Sequence, residues 1–220
     1  WGGYFMNPEG DKSLLTEEKT KAGLKWLADQ VKNKNYPTRE EGAEGENKMF
    51  FGGKQAILIS NPGATTGMLT GAEANKINMG MCLAPRGPSA MENPPRRAFI
   101  PYANCMGIAK GTKYPKEAFG LLQRVTSVEA MKWIVLTKGS QPGAVLDSWT
   151  DPEILAKYPI YEKVAEMMKS CTDIFPVPAN TRYIEWRDIG QNEIPPMIYG
   201  EQELNDANLQ AVNDHLQEVI

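Results

Sequence analysis

The sequence predicts an α/β fold, and the stretch from Lys76 to Trp149 carries most of that prediction. It reads in order as an apolar run, a Pro/Gly/Arg-rich loop, a second apolar run, an amphipathic helix, a second helix and an exposed loop. Apolar runs of strand length alternating with helix-period segments are the signature of the α/β class. The run Gln55–Ile59 adds a second observation, because it closes on the turn Ser60-Asn61-Pro62-Gly63. In open α/β sheets, that edge of a strand is where ligands sit. At 220 residues the chain accommodates one large domain or two small ones, and either buries a sizeable core.

Taken in order, Trp1–Leu15 holds Gly2-Gly3 and the turn Asn7-Pro8-Glu9-Gly10-Asp11, so it reads as a loop or short hairpin. Thr16 is the expected N-cap of a helix, with Glu17 and Glu18 near its positive end. Leu24, Leu27, Ala28 and Val31 make one apolar face of that helix, and Pro37 ends it. Thr38–Lys48 is charged and is expected as a mobile acidic loop or frayed helix start. Met49–Lys54 reads as a short helix ending in Gly52-Gly53, Gln55–Ile59 as a buried strand, and Ala64–Asn75 as a short helix of small residues.

Ile77–Leu83 and Phe99–Ala109 are the next expected strands. The helix from Lys116 to Ser127 places Ala118, Leu121, Leu122 and Val125 on one face. Glu129–Leu136 is a second helix with Ala130, Trp133 and Ile134 as its apolar stripe, and Trp133 is expected in the core. Asp151-Pro152 starts another helix, proline being favourable in a first turn. Ile160–Lys169 is the next, followed by the Phe-Pro-Val-Pro run at Phe175–Pro178. Asn180–Trp186 reads as an irregular polar–aromatic loop, and Arg187–Met197 as a helix that Pro195-Pro196 shorten or kink. The last helix, Glu201–Ile220, aligns Leu209, Val212, Leu216 and Val219.

Composition excludes several functions. The formal net charge is −3 and the only basic pair is Arg96-Arg97, which argues against nucleic acid. The apolar runs are too short to span a membrane. Cys82, Cys105 and Cys171 form no Cys-x-x-Cys, so no zinc site is indicated, and Cys82 and Cys105 are expected as small core hydrophobes. His215 is the single histidine, on the last helix, and reads as a surface residue rather than the base of a triad. No phosphate-binding glycine motif is present. Neither a cofactor nor a metal is expected, and the chain is not expected to be an enzyme.

The remaining cluster suits binding. Arg182, Tyr183, Glu185 and Trp186 lie within five residues, and a sugar offers C–H faces to an indole and hydroxyls to paired donors and acceptors. Equally, Trp186 reads as a packing anchor with Arg182 and Glu185 as a local ion pair.

Four marks carry a family resemblance: Gly2-Gly3-Tyr4-Phe5 ahead of an Ala-Gly-Leu-Lys-Trp-Leu helix, Met49–Pro62, Pro115–Ser127, and the Gln-Pro-Gly-Ala-Val loop before Trp149. In order and spacing they resemble the family 1 extracellular solute-binding proteins, the maltose-binding-protein-like receptors of ABC importers. The resemblance implies a type II periplasmic-binding-protein-like α/β fold of two lobes joined by hinge crossings. Residues 1–98 and 149–220 would then belong to the C-terminal lobe and 99–148 to the N-terminal lobe, with hinges at Arg97–Ile100 and Asp147–Trp149. It implies that the first half of the protein, with its export signal, precedes these residues. The partners implied are a small solute, most simply a carbohydrate, the permease subunits, and that missing N-terminal half. The place implied is the periplasm or cell exterior, with a lipoprotein anchor allowed.

By the same resemblance Ser60 and Asn61 meet the ligand, Tyr102 and Asn104 face the cleft, and Trp1 reaches its rim. The sequence departs from the family at Gly63-Ala64, where many sugar binders carry an aromatic. A receptor for a polyamine or amino acid is the alternative. A carbohydrate-active enzyme using Glu185 with Asp173 or Asp188 is a further one.

Overall fold

Helices carry most of the ordered backbone. The computed structural model describes residues 1–83, 85, 87, 98–99, 105–139, 143, 145–171, 173–174 and 180–220. The chain forms two compact units, one of Trp1–Glu46, Arg86–Ile100 and Asp173–Ile220, the other of Asn47–Pro85 and Pro101–Thr172. Relative to the expected division, this one places 47–85 as well as 149–172 with 101–148. The chain re-enters the first unit at Asp173, whereas Asp147–Trp149 lies within the second. Arg97 and Ile100 of the other expected hinge lie outside the described residues.

The first unit is built on helices Glu18–Lys32 (α1), Arg39–Gly42 (α2), Tyr183–Ile198 (α9) and Asp206–Glu218 (α10). Its core joins Leu15, Leu24, Met197, Ile198, Leu209, Val212 and Leu216, with Leu27, Ala28, Val31 and Trp186 packed against them. The apolar faces expected of α1 and α10 are therefore the faces buried. Each fully buried leucine, such as Leu15, contributes about 1.5–3 kcal/mol through area removed from water.

The expected N-terminal hairpin is present as an antiparallel bridge between Met6 and Ser13. Side chains of α10 fasten it. Gln217 accepts from the Ser13 amide at 2.9 Å, and Asn213 accepts from the Leu15 amide at 3.1 Å. Gln217 also donates to the Asp11 carbonyl at 3.0 Å. Gly3 lies so close to α1 that a Cβ there would sit 2.4 Å from the Thr20 nitrogen.

Two boundaries differ from expectation, and a third segment resolves between two readings. The α1 N-cap is Glu17 rather than Thr16. Of the two readings of Thr38–Lys48, mobile acidic loop or frayed helix start, the segment begins with a helical turn, because Thr38 and Glu41 form a reciprocal capping box. Helix α9 begins at Tyr183, so most of the loop expected at Asn180–Trp186 is helical. The Asn180 side chain accepts from the Arg182 amide at 2.7 Å just before it starts. Pro195 and Pro196 fall in the last turn of α9, where the helix stops two residues later at Ile198.

The second unit contains most of Glu46–Phe51 (α3), with Thr65–Ala74 (α4), Pro115–Val125 (α5), Val128–Lys138 (α6), Pro152–Lys157 (α7) and Tyr161–Ser170 (α8). Its core is Val135, Trp149, Ile154, Tyr161, Val164 and Ala165. Trp149 meets Tyr161 edge to face at 5.4 Å, and its indole N–H donates to the Gly143 carbonyl at 2.9 Å. Asp151 caps α7 by accepting from the Glu153 and Ile154 amides, and Lys132 of α6 binds the same carboxylate at 3.0 Å. Burial alone would raise the Asp151 carboxyl, but Lys132 and those two amides outweigh it and hold the group below its ordinary value. Burial also pushes the Tyr161 phenol up, against a hydrogen bond to Thr66.

Among the described residues, the only strands are Ala98–Phe99 (β1) and Asp173–Ile174 (β2), a parallel pair with Ala98 opposite Asp173 and Phe99 opposite Ile174. The α/β layering expected from sequence is thus not found in them. Gln55–Ile59 and Ile77–Leu83 are irregular and unpaired, and Cys105–Ala109 is not a strand. The physical reason is that a strand is defined by its ladder, and among the described residues no strand pairs with these runs. Trp133, Leu121, Cys82 and Cys105, all expected inside or on apolar faces, are exposed. No described helix is long and apolar enough to cross a membrane.

Candidate functional site

The sequence-predicted residues fall in both units. In the first, the start of α9 and the outer face of α10 border an open groove of about 600 Å³, lined in part by Arg182, Ile184, Glu185, Asp188, Glu193 and His215. The spacing of Arg182 and Glu185 puts both on one side of the helix start, where they pair through two bonds of 2.9 and 2.7 Å. Arg182 also donates to the Glu218 carbonyl at 3.3 Å. Arg187 binds Asp188 at 2.8 Å, which holds the guanidinium firmly charged. His215 Nδ1 lies 2.7 Å from Glu193 Oε1, so this histidine is a surface residue with a partner. Each of these three acidic side chains therefore has a basic neighbour.

Trp186 does not line that groove. It packs half-buried against the core, stacked on Tyr183 at 6.1 Å and 26°, and its indole nitrogen is buried with no acceptor. Trp1 stacks on Trp26 of α1 at 4.9 Å and 37°, and a Cβ at Gly87 would lie 2.9 Å from the Trp1 amino nitrogen. Trp26, nearly half exposed, was not singled out by sequence. The available signal was an aromatic on the polar side of an amphipathic helix.

In the second unit, Ser60 and Asn61 line a depression of about 580 Å³, together with Ile57, Ile59, Met79 and Met81. None of its lining side chains is charged. Tyr102 and Asn104 lie outside the described residues. Among the described residues no group of acidic, cysteine or histidine side chains is placed to hold a metal.

No protein-family model and no curated protein matches the sequence. Solved structures do. The chain superposes over its whole length on the maltose-bound MalE3 of T. maritima, with a TM-score of 0.75 at 20% identity, covering 55% of that protein. The sugar-binding protein MalE of Xanthomonas citri gives 0.71 at 15% identity, with all of this chain matched to 53% of it. UgpB of Mycobacterium tuberculosis, solved with glycerophosphocholine, gives 0.69 at 15% identity, with 99% of this chain matched to 52% of it. The fold is theirs. This chain spans about half the length of these maltose-binding-protein-like neighbours, which are binding proteins rather than enzymes.

Proposed function

We propose that this chain is part of a solute-binding receptor of a bacterial ABC importer, working in the periplasm or at the cell exterior. The receptor binds a carbohydrate between two lobes, hands it to the membrane permease and leaves it chemically unchanged. The single observation that carries this reading is the likeness over the whole chain to sugar-binding proteins, at TM-scores from 0.66 to 0.75. The remainder of the fold, for which these residues have no counterpart, supplies the rest of the binding surface. Trp186, Tyr183, Arg182, Glu185 and Trp1 are the candidate ligand residues of the first unit. Ser60 and Asn61 are those of the second, with Tyr102 and Asn104 beyond the described residues. A ligand that binds the closed arrangement better than the open one shifts the protein toward it.

A second reading has a specific observation behind it: UgpB, of the same fold, was solved with glycerophosphocholine, so a phosphodiester or amine solute is the alternative. The enzyme reading is disfavoured because Glu185 is bridged by Arg182 and Asp188 by Arg187.

Calorimetry and thermal unfolding of the full-length receptor against maltose, maltotriose, glycerophosphocholine and spermidine test the proposal. A true ligand at a hundredfold excess over its Kd stabilises by about 2.7 kcal/mol. Arg182→Ala is expected to weaken that binding about tenfold while changing stability by less than about 1 kcal/mol, the worth of an exposed pair. Stabilisation by glycerophosphocholine alone removes the sugar, and release of reducing sugar from an oligosaccharide removes the receptor.

A further inference from the structure

The structure sorts the five tryptophans by what their rings are free to do. Trp149 and Trp186 are packed into or against the two cores. Trp133 is exposed on α6 of the second unit. Trp1 and Trp26 of the first unit differ from all three, because each ring is set against the other, 4.9 Å apart and tilted by 37°. Trp26 is still 46% exposed.

The chain around Trp1 is shaped to hold that pair. Gly2 takes a positive φ of 72°, a conformation that favours glycine, so the backbone turns directly after the ring. Gly3 then presses on the α1 backbone at Thr20, whose hydroxyl donates to the Tyr4 carbonyl at 2.8 Å. A Cβ at Gly87 would lie 3.2 Å from the Trp1 ring, and one at Gly23 would touch the Trp1 Cβ at 3.9 Å. Trp1 is thereby wedged, half-buried, between Gly87 and the face of α1 that carries Gly23 and Trp26. It backs the Trp26 indole. A ring held in this way has little rotamer freedom left to lose when a ligand lands on it.

The rim of the pair indicates the ligand class. Asp29 and Gln30 follow Trp26 at i+3 and i+4, and so share its side of α1. Asp29 is paired with Lys25 at 3.3 Å. Donors and acceptors of both signs therefore stand beside the indole with no net charge between them. A cation would meet the Lys25 ammonium and an anion the Asp29 carboxylate, whereas a neutral polyol uses both. Two rings laid against each other present one flat face, not the converging walls that enclose a quaternary ammonium. A flat apolar face beside mixed donors and acceptors matches a pyranose, with its C–H side and its hydroxyl edge.

We propose that Trp26, backed by Trp1, is a carbohydrate-stacking platform of the first unit, with Lys25, Asp29 and Gln30 as its hydrogen-bonding rim. It provides the open indole face that Trp186, packed on its core, does not. The choice of a sugar rests on the carbohydrate reading of the receptor, while the platform is built from this unit alone.

The test titrates this chain with maltotriose and follows saturation transfer from indole protons to the sugar C–H protons by NMR. Transfer is expected at millimolar sugar. Trp26→Ala should weaken the affinity about tenfold with α10 resonances unchanged, and Trp26→Phe, which restores a flat face, should recover most of it. Trp133→Ala should leave it as it was. Four results overturn the proposal: no transfer to the sugar, transfer that survives Trp26→Ala, tighter binding of tetramethylammonium than of maltotriose, or a dimer of this chain that Trp26→Ala dissolves. Failure of the receptor reading is a separate result, the absence of calorimetric sugar binding by the full-length protein, and neither outcome forces the other.

Discussion

Trp149 anchors the second unit's core by combining burial, an edge-to-face contact with Tyr161 and a satisfied N–H. Trp149→Ala should cost about 3–5 kcal/mol in urea unfolding, since it deletes the largest core side chain and leaves a cavity. Trp149→Phe keeps one aromatic ring but loses the pyrrole part of the indole along with the bond to Gly143, so it should cost about 1–3 kcal/mol, less than the alanine. Two residues on, Asp151 makes a pH-dependent contribution with a definite sign. Its native carboxyl is held below its ordinary value, so its stabilisation is complete above the unfolded value near pH 4 and is lost as pH falls through the lower native one. Asp151→Ala should therefore cost about 1 kcal/mol at pH 7, and the gap to the parent chain should close on acidification below about pH 4. A gap that stays constant to pH 2 would show that the charge contributes nothing.

Among the elements, those whose signal is local were legible. The faces of α1 and α10 follow from spacing alone, and the start of α7 from the first-turn preference of Pro152, while α5 begins one residue before the expected Lys116. The Thr38–Glu41 capping box was also written in the sequence, as Thr-x-x-Glu, while the charge density around it left a loop and a frayed helix start both open. Long-range partners were not legible. Leu121 and Trp133 occupy helix faces of the right period, but period states which face is apolar and not whether anything covers it. The unpaired runs fail for the same reason, since strand propensity cannot supply a ladder. For the candidate site, Arg182 and Glu185 were visible because they are three apart, whereas the contact of Trp1 with Trp26 joins residues a helix apart. Gly3 shows a contact that only structure reveals. Gly3→Ala pushes a Cβ into the α1 backbone and should cost about 1–3 kcal/mol. Loss of the hydrogen bond from Thr20 Oγ1 to the Tyr4 carbonyl, seen by crystallography of the variant, would locate that cost.

At the scale of the molecule, the two units have separate cores but unequal finish: the first is latched by its hairpin, and the second leaves apolar side chains and backbone amides without cover. That contrast carries a chemical vulnerability. Met79, Met81 and Met167 stand half-open around the depression, while Met6 and Met197 are sealed at 4% and 2% exposure. In an oxidising environment the open thioethers turn first into sulfoxides, polar groups that sit poorly among apolar side chains. A peroxide titration read by peptide mass spectrometry should convert Met79, Met81 and Met167 well before Met197, and Met106, the most open of these, at least as early. Oxidation of those three would make the lining of the depression polar before the sealed core methionines react, so its apolar character is the first feature of the second unit that peroxide removes.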